Sequence, residues 1–166
     1  DIEAIKKKVM RGLSEPAGII TFPGVNGYTA DLDKRLPYDV DAAKKLLASA
    51  GYPNGFDVEL RCPNDRYVND EAICTAVVGM LGKIGVNVNL FAQTKSKHFK
   101  ELKDNQGDFY MLGWGVPTLD SHYVFHYLYE SGASWNKVNF SNSEVDAAIR
   151  VMEGEVDLDK RNAAIA

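Results

Sequence analysis

Residues 38–67 read YDVDAAKKLLASAGYPNGFDVELRCPNDRY and encode a helix, its end, a turn and a strand in that order. Asp39 is of the type that caps helix starts, and Leu46 belongs to an apolar face with helical spacing that we expect to be buried. Gly51 ends the predicted helix, and YPNG is typical of a turn. Apolar and polar residues then alternate over 56–61, which predicts a strand.

The alternation of helix and strand continues beyond this stretch. Apolar spacing predicts helices over 71–84 and 96–106, a strand over 86–90, and a strand over 108–113 that is buried on both faces. The order is βαβαβ, and right-handed crossovers make its three strands parallel neighbours. We therefore predict an α/β fold in which helices flank a parallel sheet.

The remaining segments suggest a fragment of a larger protein. Residues 14–37 are rich in proline and glycine and show no helical or strand period, so we expect an irregular extended segment. Apolar residues over 1–13 have helical spacing, and the final helix is still running where the sequence stops. We expect residues 1–166 to form a single α/β lobe.

Composition excludes several classes of function. The chain has 166 residues, of which 45% are hydrophobic, and this is enough for a core. Its net charge of −4 gives no support to the phosphate-neutralising surface that nucleic-acid binding requires. No apolar run approaches the roughly 20 residues that cross a bilayer.

Two cysteines, Cys62 and Cys74, are present, and neither belongs to a CxxC metal motif. A domain of this size does not need a disulfide framework for its stability. The sequence therefore favours two small buried thiols, with a disulfide as the less favoured alternative.

The carboxyl ends of parallel strands meet at one edge of a sheet, where open α/β sheets bind ligands. The loops that emerge there are residues 63–67, 93–95 and 114–120. From these loops, and from the end of the strand that precedes the third loop, we select side chains and glycines suited to ligand contact: Asn64, Arg66, Tyr67, Gly113, Trp114, Gly115 and Asp120.

Structural roles compete with ligand binding for three of these residues. Trp114 is also suited to fill a core, although binding is slightly favoured. Asp120 is equally suited to cap the helix predicted over 121–130. A structural salt bridge is about as well supported for Arg66 as a ligand contact.

Catalytic and metal motifs are absent from the sequence. The chain contains no GxSxG, P-loop or complete dinucleotide loop, and no carboxylate pair is placed by a motif. His122 and His126 are four residues apart, but no third ligand follows from the sequence, and their aromatic neighbours favour a packing role. We predict no catalytic residue, no cofactor and no metal.

Four blocks of sequence follow one another along the chain: YDVDAAKKLLASAGYPNGFDVEL from residue 38, LGKIGVNVNL from residue 81, GDFYMLGWG from residue 107, and NFSNSEVDAAIRVMEGEVDLDKRNAAIA from residue 139. Together they resemble the extracellular solute-binding proteins of the peptide/nickel class, known as family 5. The resemblance covers nearly the whole chain. It is more specific than any single motif because the order and spacing of the blocks also agree.

The resemblance implies the substrate-binding component of an ABC importer, without enzymatic activity, in the periplasm or another extracytoplasmic location. In such proteins two lobes of a type II periplasmic-binding-protein fold close on a solute like a hinge. This chain resembles the distal lobe, so the implied partners are an N-terminal lobe of the same protein, a membrane permease and a small-molecule or peptide ligand. Family cargo includes peptides, nickel chelates, sugars and opines.

Site residues carry over from the family only in part. The resemblance implies that Gly113, Trp114 and Gly115 line the pocket. In peptide-binding members an acid three residues after this tryptophan binds the peptide amino group, whereas this chain has Pro117 there and Asp120 three residues further on. Two alternatives stay open: a small α/β enzyme domain that uses Asp120 and a histidine, and a protein-interaction module.

Overall fold

A computed structural model describes all residues, Asp1–Ala166. The chain folds into two compact units. Unit 1 comprises Asp1–Pro16 and Pro37–Gly113, and unit 2 comprises Ala17–Leu36 and Trp114–Ala166. None of the helices combines the length and the apolar character needed to cross a lipid bilayer.

Unit 1 contains the predicted βαβαβ order. Its elements are a short helix α1 (Ile2–Ala4) that continues as a π-helical turn (Ile5–Val9), α2 (Val40–Ser49), β1 (Phe56–Pro63), α3 (Asp70–Gly82), β2 (Val86–Gln93), α4 (Lys95–Lys103) and β3 (Phe109–Tyr110). The strands form one sheet in the order β2-β1-β3, and β1 is parallel to both neighbours. The α/β fold with a parallel sheet and flanking helices is therefore confirmed.

The start and end of α2 agree with the sequence, but its burial does not. Asp39 accepts a hydrogen bond from the Ala42 backbone N–H at 2.8 Å, and Gly51 adopts a φ of 92° just after the helix. The expected burial of Leu46 is wrong, because 69% of this residue is exposed and α2 has no buried residue. Apolar spacing identifies one face of a helix but does not show that another element covers that face.

The core of unit 1 lies between β1 and α3. Leu60, Cys62 and Cys74 are buried there. Partly buried residues pack around them: Val77, Val88, Leu90, Phe109 and Met111. Cys62 and Cys74 form a disulfide with an S–S distance of 2.09 Å, so the favoured interpretation as free thiols is wrong. The crossover from β1 to α3 brings the two cysteines together, and their spacing in the sequence did not reveal this.

The third strand is shorter and less buried than predicted. Only Phe109–Tyr110 form β3, and both residues are half-buried instead of lying in a strand covered on both faces. β3 is an edge strand, so it pairs with β1 alone. Backbone pairing extends slightly further, since the Met111 N–H donates to the Arg61 carbonyl at 2.9 Å.

A buried arginine lies on the opposite face of β1 from Cys62. Arg61 is 8% exposed, and its guanidinium lies 2.6 Å from a Glu59 carboxylate oxygen and 3.1 Å from a Glu101 carboxylate oxygen. The guanidinium also covers the Phe91 ring at 3.8 Å from its centroid. These contacts attach α4 to the central strand.

Unit 2 is built from three helices and an irregular segment. The helices are α5 (His122–Leu128), α6 (Ser143–Gly154) and α7 (Leu158–Ile165). Val25, Val116 and Val124 form a buried cluster. Residues 17–36 contain turns and one isolated bridge, which joins Asn26 to Asp120.

A pair of leucine substitutions tests the assignment of core and surface in unit 1. Leu102 on α4 is 1% exposed, so Leu102→Ala should lower the free energy of unfolding by about 2–5 kcal/mol through lost burial and a residual cavity. Leu46→Ala is the matched control and should change it by less than about 0.5 kcal/mol. Urea unfolding of this chain measures both values. Equal losses for the two variants would contradict the burial described here.

The disulfide gives a second test. The double variant Cys62→Ala, Cys74→Ala should lower the free energy of unfolding by about 2–4 kcal/mol, because the unfolded chain loses a covalent loop constraint. Reduction of the wild-type chain should lower its stability as well, whereas the double variant should not respond to the reductant. Mass spectrometry after alkylation without reduction counts free thiols. Two alkylated cysteines in the native wild-type chain would show that the disulfide is not formed.

Candidate functional site

Four of the residues predicted to contact a ligand lie in unit 1. Asn64, Arg66 and Tyr67 follow the carboxyl end of β1, and Gly113 is the last residue of the unit. The Tyr67 hydroxyl donates to the Gly113 carbonyl at 3.4 Å. A Cβ atom on Gly113 would lie 2.7 Å from Tyr67 Cε1, so a larger residue there would displace the Tyr67 ring from its present position.

The loops after β1 and β2 meet at one edge of the sheet, as parallel pairing predicts. The Asn64 N–H donates to the Gln93 carbonyl at 2.8 Å, which extends the pairing past β1. Asp65 accepts a hydrogen bond from the Lys95 N–H at 2.5 Å, at the first residue of α4. These bonds hold the loop backbone and leave the side chains of Asn64 and Arg66 exposed.

A buried carboxylate that the sequence analysis did not select orders the loop after β1. Asp70 accepts hydrogen bonds from the Arg66 and Tyr67 N–H groups, both at 2.9 Å. Burial opposes ionisation of Asp70, but donation by the backbone of Tyr67, Arg66 and Glu71 outweighs burial and holds its pKa below the usual value. The sequence signal that could have identified Asp70 is its position, because an aspartate that follows a polar loop and stands at a helix start often binds the backbone N–H groups of that loop.

The guanidinium of Arg66 forms no ion pair within the chain. The structural salt bridge that the sequence allowed for this residue is therefore not formed. The guanidinium lies 5.1 Å from the centroid of the Tyr67 ring, a cation–π contact that orients it. An exposed and oriented guanidinium is suited to bind a carboxylate or phosphate.

Trp114 and Gly115 belong to unit 2. The Trp114 ring contacts three aromatic rings, with centroids 5.9 Å from Trp135, 6.0 Å from Tyr127 and 6.1 Å from Tyr123. The indole is half-buried, and its Nε1 atom is buried without a hydrogen-bond partner. Buried tryptophan N–H groups usually have such a partner, so this donor is an exception within the aromatic cluster.

Asp120 is engaged within unit 2. Its carboxylate accepts two hydrogen bonds from the Arg161 guanidinium, at 2.6 and 2.7 Å, and one from Asn26 Nδ2 at 3.0 Å. It also accepts from the N–H of His122, the first residue of α5, at 2.9 Å, although the N-cap position itself is occupied by Ser121, whose side chain makes no capping bond. The bidentate bond from Arg161, aided by Asn26 and His122 against the effect of burial, lowers the pKa of Asp120 to about 2.

Two further features of unit 2 lie outside the predicted set. A largely apolar cavity of about 370 Å³ includes Ile20, Phe125 and Ile165 in its lining, and none of the predicted site residues line it. Separately, Glu153 on α6 lies beside His122 and His126 on α5, which supplies the third metal-ligating side chain that the sequence did not reveal.

Comparison with known proteins identifies a family match over most of the chain. The family model that describes the middle part of the bacterial extracellular solute-binding proteins, family 5, matches residues 1–136 of this chain. The heme-binding protein A of Haemophilus influenzae is 28% identical over 169 aligned positions, covering 97% of this chain and 30% of that protein. The dipeptide-binding protein of Escherichia coli K12 is 29% identical over 142 positions, covering 84% of this chain and 26% of that protein.

Solved structures agree with this match. The periplasmic binding protein AgaA of A. tumefaciens R10 in complex with agropinic acid has a TM-score of 0.87 and 26% identity, covering 99% of this chain and 34% of that one. The solved neighbours are type II periplasmic binding proteins, which confirms the predicted fold class. The chain thus spans between about a quarter and a third of the length of these three proteins, which are covered to 30%, 26% and 34%.

The ion pair between Asp120 and Arg161 makes stability depend on pH. The pKa of Asp120 is about 2 in the folded chain and about 3.9 when unfolded, so its stabilisation is complete above the unfolded value and is lost as the pH falls towards 2. Between about pH 5 and pH 2 this contribution falls by about 2 kcal/mol. Asp120→Asn should remove that part of the pH dependence, whereas the exposed control Asp159→Asn should retain it. Urea unfolding across this range measures the effect, and a wild-type profile in Asp120→Asn would refute the assignment.

Proposed function

The chain belongs to the bacterial extracellular solute-binding proteins of family 5, and on that premise we propose that it supplies one lobe of the substrate-binding component of an ABC importer. The component captures a small solute, an oligopeptide or a related compound, between two lobes and delivers it to a membrane permease. The family match over residues 1–136 is the observation that carries this proposal.

The sheet edge of unit 1 supports a role in contacting the solute. Asn64, Arg66 and Tyr67 present an amide, a guanidinium and an aromatic ring on a loop whose backbone is held by Asp70 and Gln93. A preordered loop loses little conformational entropy when a ligand binds, which favours affinity. We assign Asn64, Arg66 and Tyr67 to the ligand-binding surface of unit 1.

The charges suit the carboxylate of a ligand better than its amine. A dipeptide and agropinic acid, the ligands named for two relatives, both contain carboxylates, and Arg66 has no competing ion pair. Pro117 occupies the position of the family's amine-binding acid, and the carboxylate of Asp120 is committed to Arg161. This chain therefore contributes a carboxylate contact through Arg66 and lacks the usual contact to a free amine.

We also assign Gly113, the last residue of unit 1, to ligand binding, and in unit 2 we assign Trp114 and Gly115. The indole is fixed by three ring contacts and keeps an unpaired N–H donor. A Cβ atom on Gly115 would meet nothing within 4 Å, so the backbone there has open space beside it. A rigid aromatic side chain with a free donor is typical of a binding anchor.

An enzymatic role has weaker support. The alternative required Asp120 as an acid or base, yet a carboxylate with a pKa of about 2 is a poor proton acceptor at neutral pH. Members of this family are transport proteins. The disulfide between Cys62 and Cys74 is consistent with an oxidising compartment such as the periplasm, where we place the protein.

Ligand capture by the full-length protein tests the proposal. The protein is purified under native conditions and denatured, and mass spectrometry identifies any small molecule that is released. Isothermal titration with di- and tripeptides, N-acetylated dipeptides and opines follows. We expect saturable binding of a carboxylate-containing solute that tolerates N-acetylation. The receptor proposal would be wrong if no small molecule were released and no compound of this panel gave a heat of binding.

Trp114→Ala separates a ligand-binding role from packing. In the full-length protein this substitution should weaken solute binding by about 1–3 kcal/mol, because a fixed aromatic anchor is lost. Tyr52→Ala is the control, since Tyr52 is an exposed aromatic residue that precedes β1 and is not among the residues assigned to ligand binding. Thermal unfolding of the same samples verifies that each variant is folded. Unchanged affinity in a folded Trp114→Ala protein would assign Trp114 to packing alone.

A further inference from the structure

Three metal-ligating side chains converge on the surface of unit 2. His122 and His126 lie on α5, Glu153 lies on α6, and their ligand atoms are all within 4.8 Å of one another. We propose that these residues bind a divalent transition-metal ion of the Zn²⁺ type. The proposal does not rest on the solute-receptor function, because it follows only from the geometry of two helices.

The helical spacing of the histidines presents both imidazoles to the same side of α5. Residues i and i+4 are neighbours on a helix surface, and the two rings are stacked with centroids 5.5 Å apart and an interplanar angle of 22°. Two histidines at this spacing supply two zinc ligands in HExxH metalloproteins. This chain has no adjacent glutamate of that motif, and the third ligand comes from another helix instead.

Distances to Glu153 already suit a shared metal ion. Its Oε1 atom lies 3.4 Å from His122 Nε2 and 3.4 Å from His126 Nδ1. Bonds of about 2.0–2.2 Å to a tetrahedral Zn²⁺ place ligand atoms about 3.3–3.5 Å apart. Two of the three edges therefore have the required length. The ligand atoms all lie within 4.8 Å of one another, so Zn²⁺ binding requires one of the partly exposed imidazoles to rotate and shorten the nitrogen–nitrogen edge.

The donor set indicates the class of metal. Two imidazole nitrogens and one carboxylate oxygen suit Zn²⁺, Ni²⁺ and Cu²⁺, whereas Mg²⁺ and Ca²⁺ prefer oxygen ligands alone. Simple ion pairing is the competing explanation, because Glu130 Oε2 also lies 2.8 Å from His126 Nδ1. A metal ion and an ion pair differ in one measurable respect: only the metal site responds to added Zn²⁺.

Isothermal titration of this chain with ZnCl₂ in a non-chelating buffer tests the site, with MgCl₂ as the comparison. We expect one saturable Zn²⁺ site and no Mg²⁺ binding. His122→Gln, His126→Gln and Glu153→Gln should each weaken Zn²⁺ binding by more than about tenfold, since even outer-shell partners of a metal are worth about 10–100-fold. Glu144→Gln removes an exposed carboxylate from the same helix α6 and should bind as the wild type does.

Imidazole resonances of the wild-type chain give a test that needs no substitution. The third histidine, His98, is 1% exposed and bonds the Met111 carbonyl in unit 1, so it is an internal control. In ¹H–¹⁵N correlation spectra, Zn²⁺ should shift the imidazole signals of His122 and His126 and leave those of His98 in place. The proposal is overturned by an absent or non-saturable Zn²⁺ response, by equal shifts in all three histidines, or by wild-type affinity in a folded Glu153→Gln chain.

Discussion

Unit 1 depends on the central position of β1, which is paired in parallel on both sides. It matches β2 along its whole length, from Phe56 opposite Val86 to Pro63 opposite Gln93, and it also pairs with β3. Parallel strands require crossover helices, so the pairing of β1 dictates that α3 and α4 follow β1 and β2. Because β1 and β2 run in the same direction, the loops that follow them emerge at the same edge of the sheet.

The two faces of β1 are held by different chemistry. On one face Leu60 and Cys62 pack against α3, and the disulfide adds a covalent link to that contact. On the other face Arg61 is buried between carboxylates, one of which belongs to α4. Burying a charge is costly unless it is paired, so Arg61 and Glu101 stabilise the unit only as a pair. The strand therefore aligns both helices against the sheet.

Charge pairing also distinguishes scaffold residues from candidate ligand contacts. Asp70 and Asp120 are held by several donors each, and hydrogen bonding lowers the pKa of both. In unit 2 the Asp120 carboxylate ties the start of α5 to Arg161 on α7, and α5 in turn carries His122 and His126. By contrast, the exposed Arg66 guanidinium has no ion-pair partner in the chain, and Trp114 Nε1 has no hydrogen-bond partner. Polar groups that are left without such a partner on an ordered framework are suited to contact a solute.

The sequence by itself determined the elements of unit 1 and their order, because caps, glycine stops and apolar periods are local signals. Asp39 begins α2, Gly51 ends it, and the βαβαβ order implies parallel strands and a common loop edge. The sequence also determined which loops follow the strands, and so it identified Asn64, Arg66 and Tyr67 as side chains of that edge.

Only the tertiary structure decided which distant residues meet. In the folded chain Leu46 is exposed, Cys62 is bonded to Cys74, Asp120 is paired with Arg161, and Glu153 lies beside the two histidines. Each of these outcomes depends on how helices and strands pack in three dimensions. The apolar period of a segment predicts which face of its own helix or strand a side chain lies on. It does not predict which residue of another element that side chain contacts.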